Sequence, residues 1–301
     1  MTFMGSPPSA RPRIVFFGTP QEAVWVLDTL AARGIIPSLV VTNPPRPAGR
    51  GKKLTPPPAL LWTQERGIAA FSPPVLDDEA VAFLQNAGPW DVGIVAAYGL
   101  IIPQAVLSLP QRGILNIHPS LLPKLRGAAP VQAAILRDTP GALGVSIMLM
   151  DEKMDHGPIL AQEPHTPAQW PTPYLPLQER LLRRGAELLA DVLPQWLPGA
   201  ITPALQDDTH ATYCGKLEKA EVSLSQPSAE LWRLYCALVP RPGVFFWDTT
   251  KNPPKRIKIQ EAELTPQGKF MPLVVVPESK PPMRWEDYAC GIAKSHPTAK
   301  S

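Results

Sequence analysis

The sequence is poor in cysteine and in charge, and it contains no long apolar run. Three cysteines are spread over 301 residues, too few and too far apart for a disulfide framework, so we expect free thiols in a reducing cytoplasm. No stretch approaches the roughly 18 consecutive apolar residues that a membrane span needs. Charged residues make up 18% of the chain and the net charge is only +3, so any contact with nucleic acid requires a local basic patch.

Glycine is missing where a dinucleotide-binding turn would need it. The apolar run that begins at Arg13 ends at one glycine, Gly18, which Thr19 and Pro20 follow, whereas the dinucleotide fingerprint has three glycines in register. We therefore expect no NAD-type cofactor. The five histidines show no spacing typical of metal ligands, so we expect no metal site.

Short apolar runs alternate with segments of helical spacing through the first two thirds of the chain. Strands are predicted within 13–20, 37–42, 92–98, 113–115 and 143–150, and helices within 23–30, 59–66, 79–86, 131–136 and 177–197. The 40 prolines are scattered among these segments, which indicates stiff loops in a globular protein. We predict an α/β fold with a Rossmann-like, doubly wound, mostly parallel sheet that binds its ligands at the carboxyl ends of the strands.

The last third of the chain has a different pattern. A helical segment at 228–236 precedes short strands at 243–247, 256–260 and 273–276, a spacing typical of a small OB-like β-barrel. The predicted organisation is a flexible N-terminal extension at 1–12, a catalytic domain at 13–198, a linker at 199–215, an OB-like C-terminal domain at 216–288 and a disordered tail at 289–301.

Three polar residues are the candidate catalytic groups. Asn116 and His118 follow an apolar run and lie two residues apart, so they share a face if they are on a strand. Asp155 follows the predicted strand at 143–150 and is expected at the same edge of the sheet. An amide and an imidazolium can donate hydrogen bonds to an oxygen that becomes negative, while a carboxylate supports the imidazole and relays protons. This combination predicts acyl transfer to an amine without a nucleophilic side chain.

Other interpretations of the same residues are weaker. A Ser-His-Asp hydrolase lacks support because there is no Gly-x-Ser-x-Gly elbow, and Ser120 stands between prolines two residues past His118. A single histidine can also be a structural residue whose ring nitrogens are satisfied within the core.

A basic segment, residues 43–58, separates the second predicted strand from the next helix. It contains six prolines, two glycines and no acidic residue, so we expect neither helix nor sheet there. Its cations are Arg46, Arg50, Lys52 and Lys53. A long ordered loop in a compact domain is usually functional, and clustered cations on it would contact a phosphate backbone. The alternative is a solvated surface loop.

The segment Asn116-Ile-His-Pro-Ser-Leu-Leu-Pro-Lys-Leu-Arg-Gly-Ala-Ala-Pro130, with Met150-Asp-Glu-Lys-Met-Asp-His-Gly-Pro158, resembles the signature of the enzymes that transfer a formyl group from 10-formyltetrahydrofolate. The resemblance implies that Asn116, His118 and Asp155 are catalytic. It also implies that the folate co-substrate lies along Ser120, Leu121, Leu122 and Pro123.

The basic segment is similar to the tRNA-contacting arm of those family members that act on methionyl-tRNA. The resemblance implies initiator methionyl-tRNA as the partner, with Arg46, Arg50, Lys52 and Lys53 binding it. It further implies a cytoplasmic, monomeric transferase that serves translation initiation. The alternatives are a sugar-nucleotide N-formyltransferase and a non-catalytic RNA-binding protein on the same scaffold.

Two features depart from the family pattern. Glu22 stands where the family commonly has a phenylalanine that touches the methionine side chain, and a carboxylate beside a thioether is costly unless it turns to solvent. The C-terminal part is also short, since many members continue with further strands. We therefore expect the OB-like domain to be shortened, with weaker tRNA contacts.

Overall fold

The computed structural model describes residues 11–48 and 53–295, which form two compact units. The first unit contains the described residues up to Arg126, together with 144–165 and 179–212. The second contains 127–143, 166–178 and the described residues from Tyr213 onward. No helix among the described residues is long and apolar enough to cross a membrane.

The strands and helices are numbered here in chain order. The strands are β1 (Ile14–Phe17), β2 (Leu39–Val41), β3 (Arg46–Ala48), β4 (Lys53–Thr55), β5 (Ala69–Phe71), β6 (Val92–Val95), β7 (Ile114–His118), β8 (Arg126–Gly127), β9 (Gly144–Leu149), β10 (Ile159–Pro164), β11 (Tyr213–Cys214), β12 (Ala220–Glu221), β13 (Val244–Asp248), β14 (Lys255–Leu264), β15 (Phe270–Pro277) and β16 (Met283–Arg284). The α-helices are α1 (Gln21–Ala32), α2 (Pro58–Arg66), α3 (Asp78–Ala87), α4 (Gln104–Leu107), α5 (Pro130–Leu136), α6 (Tyr174–Trp196), α7 (Ser228–Leu238) and α8 (Trp285–Ser295). Short 3-10 helices lie at Pro140–Ala142 and Asp208–His210.

A seven-stranded, mostly parallel sheet organises the first unit. The strand order is β10-β9-β7-β6-β1-β2-β5, in which β9 alone runs against the other six strands and pairs antiparallel with both β7 and β10. The predicted doubly wound α/β architecture is confirmed. The prediction missed β5 and β10, because these edge strands are only partly buried and have little apolar periodicity.

The central strands β1, β2 and β6 contain no polar side chain, as expected for strands that are covered on both faces of the sheet. Phe16 pairs in register with Val40 and Ile94, and Ile94 pairs with Leu115; all four side chains are fully buried. Burial of each such side chain stabilises the fold by about 1.5–3 kcal/mol. Because these residues pair in register, the carboxyl ends of β1, β2, β6 and β7 lie along the same edge of the sheet.

The second unit contains a five-stranded sheet with the order β12-β13-β14-β15-β16. The predicted separate β module is confirmed. Its strands are antiparallel except for the β12–β13 pair. Within the described part of the chain, β12 and β16 are the end strands of this sheet, so it is an open sheet.

Two sequence predictions are corrected. The basic segment was expected to contain no sheet, but β3 and β4 pair as an antiparallel ribbon with Pro47 opposite Leu54. In a two-stranded ribbon each strand is an edge, so a proline without an N–H is tolerated. The tail predicted to be disordered from 289 begins inside α8, which runs to Ser295 and has Glu286 and Asp287 in its first turn. The remaining tail and residues 1–10 of the predicted extension lie outside the described residues.

Candidate active site

Strand β7 carries two of the predicted catalytic side chains at the edge where the parallel strands end. Asn116 pairs with Met148 and His118 with Ser146 on the antiparallel neighbour β9. Asp155 lies in the turn that joins β9 to β10. Because the polypeptide reverses direction in this turn, Asp155 returns to the level of Asn116 and His118.

The structure brings these three side chains together. The Asn116 amide nitrogen Nδ2 donates a hydrogen bond of 3.3 Å to Oδ1 of Asp155. Nδ1 of His118 lies 3.7 Å from Oδ2 of Asp155, which is longer than a hydrogen bond. The side chain of Asp155 is 15% exposed and Asn116 is half-buried, so both are more accessible than the buried ring of His118.

The orientation of the His118 ring is fixed by the chain around it. Its side chain is 5% exposed, and Nε2 lies 3.1 Å from the carbonyl oxygen of Leu125. A carbonyl can only accept, so Nε2 carries a proton. The other ring nitrogen faces Asp155, where a proton on Nδ1 would point towards the carboxylate or towards a ligand oxygen placed beside it.

The turn that carries Asp155 has an unusual backbone. Asp155 has a φ of 49°, in the left-handed region that few residues other than glycine adopt. Two residues later, Gly157 is packed so closely that a Cβ there would lie 1.8 Å from the carbonyl oxygen of Leu149. Backbone strain of this kind is typical of functional positions that the surrounding structure holds in place.

The segment predicted to cradle the folate begins directly after His118. Ser120 is fully buried; its hydroxyl donates to the carbonyl of Lys124 at 2.7 Å, and its own carbonyl accepts from Ser146 at 2.6 Å. Leu122 is also buried, whereas Leu121 and Pro123 are half-buried. Ser120 and Leu122 therefore shape the segment, and Leu121 and Pro123 present its accessible surface.

Sequence reasoning missed a polar network behind Asp155. Buried Arg126 donates to the side chains of Gln206 and Asp208, and Gln206 in turn donates to the backbone of the Asp155 turn. His156 bridges two carboxylates, with Nδ1 2.6 Å from Asp151 and Nε2 3.4 Å from Asp208. The hydrogen bond from Arg126 lowers the pKa of Asp208, and the charge of Arg126 lowers it further. No spacing signal could have linked Arg126 to residues about 80 positions away.

Of the four cations in the basic segment, the structure describes Arg46 and Lys53. Both are exposed, on opposite strands of the β3–β4 ribbon. Arg50 and Lys52 lie outside the described residues. Leu54, next to Lys53, is 63% exposed, so the ribbon combines accessible cations with an accessible apolar side chain.

Glu22 lies in the first turn of α1, near the carboxyl end of β1. Its Oε2 is buried and has no hydrogen-bond partner among the described residues. The carboxylate would cost little free energy in place of the family's phenylalanine only if it turned to solvent. In the structure it does not turn fully to solvent. Tyr98, which follows β6, has a buried hydroxyl that likewise lacks a hydrogen-bond partner within the described part of the chain, and burial raises the pKa of Tyr98 to about 12.

Comparison with known proteins identifies the group to which this site belongs. Residues 12–193 match the family model described as formyl transferase. A methionyl-tRNA formyltransferase from Halorhodospira halophila is 44% identical over 233 residues, which cover 77% of this chain and 74% of that protein. Other curated relatives at 41–44% identity carry the same name.

Solved structures share the fold at lower identity. A sugar N-formyltransferase from a Shewanella species has a TM-score of 0.57 at 18% identity and covers 87% of this chain and 96% of its own. HypX from Aquifex aeolicus, solved in complex with tetrahydrofolic acid, has a TM-score of 0.62 at 15% identity and covers 95% of this chain and 48% of its own. The family model and the curated relatives establish that the chain belongs to the formyl transferase family.

Proposed function

We propose that this protein transfers the formyl group of 10-formyltetrahydrofolate to the α-amine of initiator methionyl-tRNA and so forms N-formylmethionyl-tRNA for translation initiation. The observation that carries the proposal is the convergence of Asn116, His118 and Asp155 at one edge of the sheet. The chain's 44% identity to a methionyl-tRNA formyltransferase supports methionyl-tRNA as the acceptor.

The three side chains fit the charges that develop in this reaction. The amine nitrogen attacks the formyl carbon, and the carbonyl oxygen becomes negative. Nδ2 of Asn116 has two hydrogens, of which one is used by Asp155 at 3.3 Å and the other can be donated to this oxygen. A proton on Nδ1 of His118 supplies a second donor. This nitrogen lies 3.7 Å from the Asp155 carboxylate, too far for a hydrogen bond to it, so the proton can be donated to the oxyanion instead.

Asp155 is the group that handles the proton. Its side chain is 15% exposed, against 5% for His118, and it can accept a proton from the attacking amine. The amine nitrogen becomes acidic as the new C–N bond forms, and its proton passes to Asp155. The bond from the formyl carbon to the folate nitrogen then breaks, and the proton passes to that nitrogen. Metal ions and NAD have no part in this proposal.

Substrate binding is proposed at two places. The folate lies along Ser120–Pro123, where Leu121 and Pro123 supply the accessible apolar surface. The tRNA contacts the basic ribbon and its connection, through Arg46, Arg50, Lys52 and Lys53. Cations that neutralise phosphates give affinity without reading sequence, which suits an arm that must approach an acceptor stem. We further propose that the chain acts as a cytoplasmic monomer, with a catalytic domain at 13–198 and a shortened OB-like domain at 216–288.

The test compares formyl transfer by the native chain and by three variants, Asn116→Ala, His118→Ala and Asp155→Ala. Each variant is expected to lower kcat by on the order of a hundredfold or more, because each loses a donor or a proton carrier needed in the transition state. His210→Ala is the control, since His210 is an exposed histidine outside the group. It should retain native activity.

The acceptor is tested in the same assay with initiator methionyl-tRNA, elongator methionyl-tRNA and an amino-sugar nucleotide. We expect the highest rate of formyl transfer with initiator methionyl-tRNA. Transfer to the amino sugar alone would favour the sugar-nucleotide alternative. Near-native formylation by His118→Ala would refute the catalytic assignment.

A further inference from the structure

We infer that Gln206, oriented by the buried guanidinium of Arg126, is a positioning residue that holds the turn carrying Asp155 in its reactive geometry. The inference rests on the proposed function, because it assigns Asp155 a part in formyl transfer. It adds two residues that act on the reaction without touching the reacting atoms.

The side-chain amide of Gln206 clamps the turn at two points. Its Nε2 donates to the carbonyl oxygen of Asp155 at 2.9 Å and to that of Gly157 at 2.7 Å. The two carbonyls flank His156, so one amide group fixes the backbone on either side of it. Asp155 itself has a φ of 49°, and a residue in this region keeps its conformation only when neighbouring groups hold it there.

Arg126 fixes the orientation of that amide. Its Nε and one terminal nitrogen donate to Oε1 of Gln206 at 3.1 and 2.8 Å. A guanidinium can only donate and a backbone carbonyl can only accept, so Oε1 must face Arg126 and Nε2 must face the turn. The reversed amide would place like groups against each other on both sides. Pairing of donors with acceptors therefore allows only one orientation of the Gln206 side-chain amide.

Arg126 is itself immobilised by burial. It is 1% exposed and is among the largest fully buried side chains of the described chain. The same terminal nitrogen also donates to Asp208 at 2.8 Å, and the Arg126 amide donates to the carbonyl of Thr212 at 2.8 Å. A buried cation with these partners is costly to displace, since movement would leave a charge without compensation. The rigidity of Arg126 is therefore transmitted through Gln206 to Asp155.

The key variant is Gln206→Glu, which keeps the side-chain shape and the pairing with Arg126 but replaces both N–H donors by an oxygen. The new carboxylate would face two carbonyl oxygens and repel the turn. Gln206→Met removes the clamp without adding charge, and Asp208 still accompanies Arg126. Gln195→Glu makes the same change of charge at an exposed position on α6 and is the matched control.

We expect Gln206→Glu and Gln206→Met to lower kcat by about tenfold to a hundredfold, while KM for the folate and for the tRNA stays within about twofold. The control should match the native chain. The same substitutions are also made in an Asp155→Asn background. If Gln206 acts through Asp155, they should then change the residual kcat by less than about twofold, since interacting residues give non-additive effects. An equal factor in both backgrounds would overturn the inference.

A second measurement does not depend on catalysis. Amide hydrogen exchange in residues 152–157 should become on the order of tenfold faster in both Gln206 variants and stay unchanged in Gln195→Glu. Unchanged exchange in both variants would show that there is no clamp. If the native chain does not formylate methionyl-tRNA, the activity assay refutes the proposed function. The hydrogen-exchange measurement would still decide whether Gln206 holds the turn.

Discussion

Substitution of Gly157 by alanine is expected to disable the site by moving the turn that carries Asp155. A Cβ at this position would lie 1.8 Å from the carbonyl oxygen of Leu149 and 3.0 Å from its carbonyl carbon. Real Cβ contacts are essentially never shorter than 3.0 Å, so the two groups must separate by about 1.2 Å. The substitution therefore tests how closely the turn must be held.

The turn, and not Leu149, has to give way. Leu149 is the last residue of β9, where it pairs with Leu115 on β7, and its amide donates to the carbonyl of Pro158 at 2.8 Å. It is anchored in the central sheet, whereas Gly157 belongs to the connection that ends at β10. A displacement of about 1 Å at a reacting group costs on the order of a hundredfold in rate. Overpacking of this kind also costs about 1–3 kcal/mol of stability.

The measurement is kcat for formylation of methionyl-tRNA by Gly157→Ala, together with the thermal midpoint. Gly141→Ala is the control, because a Cβ at Gly141 meets nothing within 4 Å. The expected result is a loss of about a hundredfold in kcat for Gly157→Ala, with a cooperative unfolding transition at a lower midpoint. Activity within about twofold of the native chain would refute the argument that the geometry of this turn limits the reaction.

Two further predictions concern the basic ribbon and the thiols. Arg46→Ala and Lys53→Ala should each weaken tRNA binding and reduce the slope of log K against log salt concentration by about 0.7–0.9. Lys269→Ala, in the turn between β14 and β15, is the control and should leave the slope unchanged. Native slopes in both ribbon variants would show that the ribbon does not bind the tRNA. A thiol reagent at pH 8 should modify only the exposed Cys290 in the native chain and all three cysteines in denaturant. Burial raises the pKa of Cys236 from an ordinary value of 9.0 to about 12. The folded state therefore favours the neutral thiol, and the stability that this thiol contributes is complete below about pH 9 and is lost as the pH rises towards 12. Rapid labelling of Cys236 in the native chain would contradict its burial.

Local patterns were sufficient for the central sheet and its helices. Buried parallel strands read as continuous apolar runs, because both faces are covered, and the helices carry the 3.6-residue period of a half-buried surface. The strands β1, β2, β6, β7 and β9 and the helices α1, α2, α3, α5 and α6 lie within or close to the predicted segments. The predictions failed at the β3–β4 ribbon, which includes a proline and whose described side chains are exposed, and at the edge strand β10, which is only partly buried and has little apolar periodicity.

The sequence by itself determined that Asn116 and His118 share a face, since side chains two apart on a strand always do. It also determined, through the motif around them, the family to which the chain belongs. Only the tertiary structure decided that Asp155 bonds to Asn116, that Leu125 orients the His118 ring, and that Arg126 and Gln206 hold the turn from behind. Arg126 and Gln206 are 80 positions apart, and such contacts depend on strand order and on where a chain reverses, which no short-range periodicity encodes.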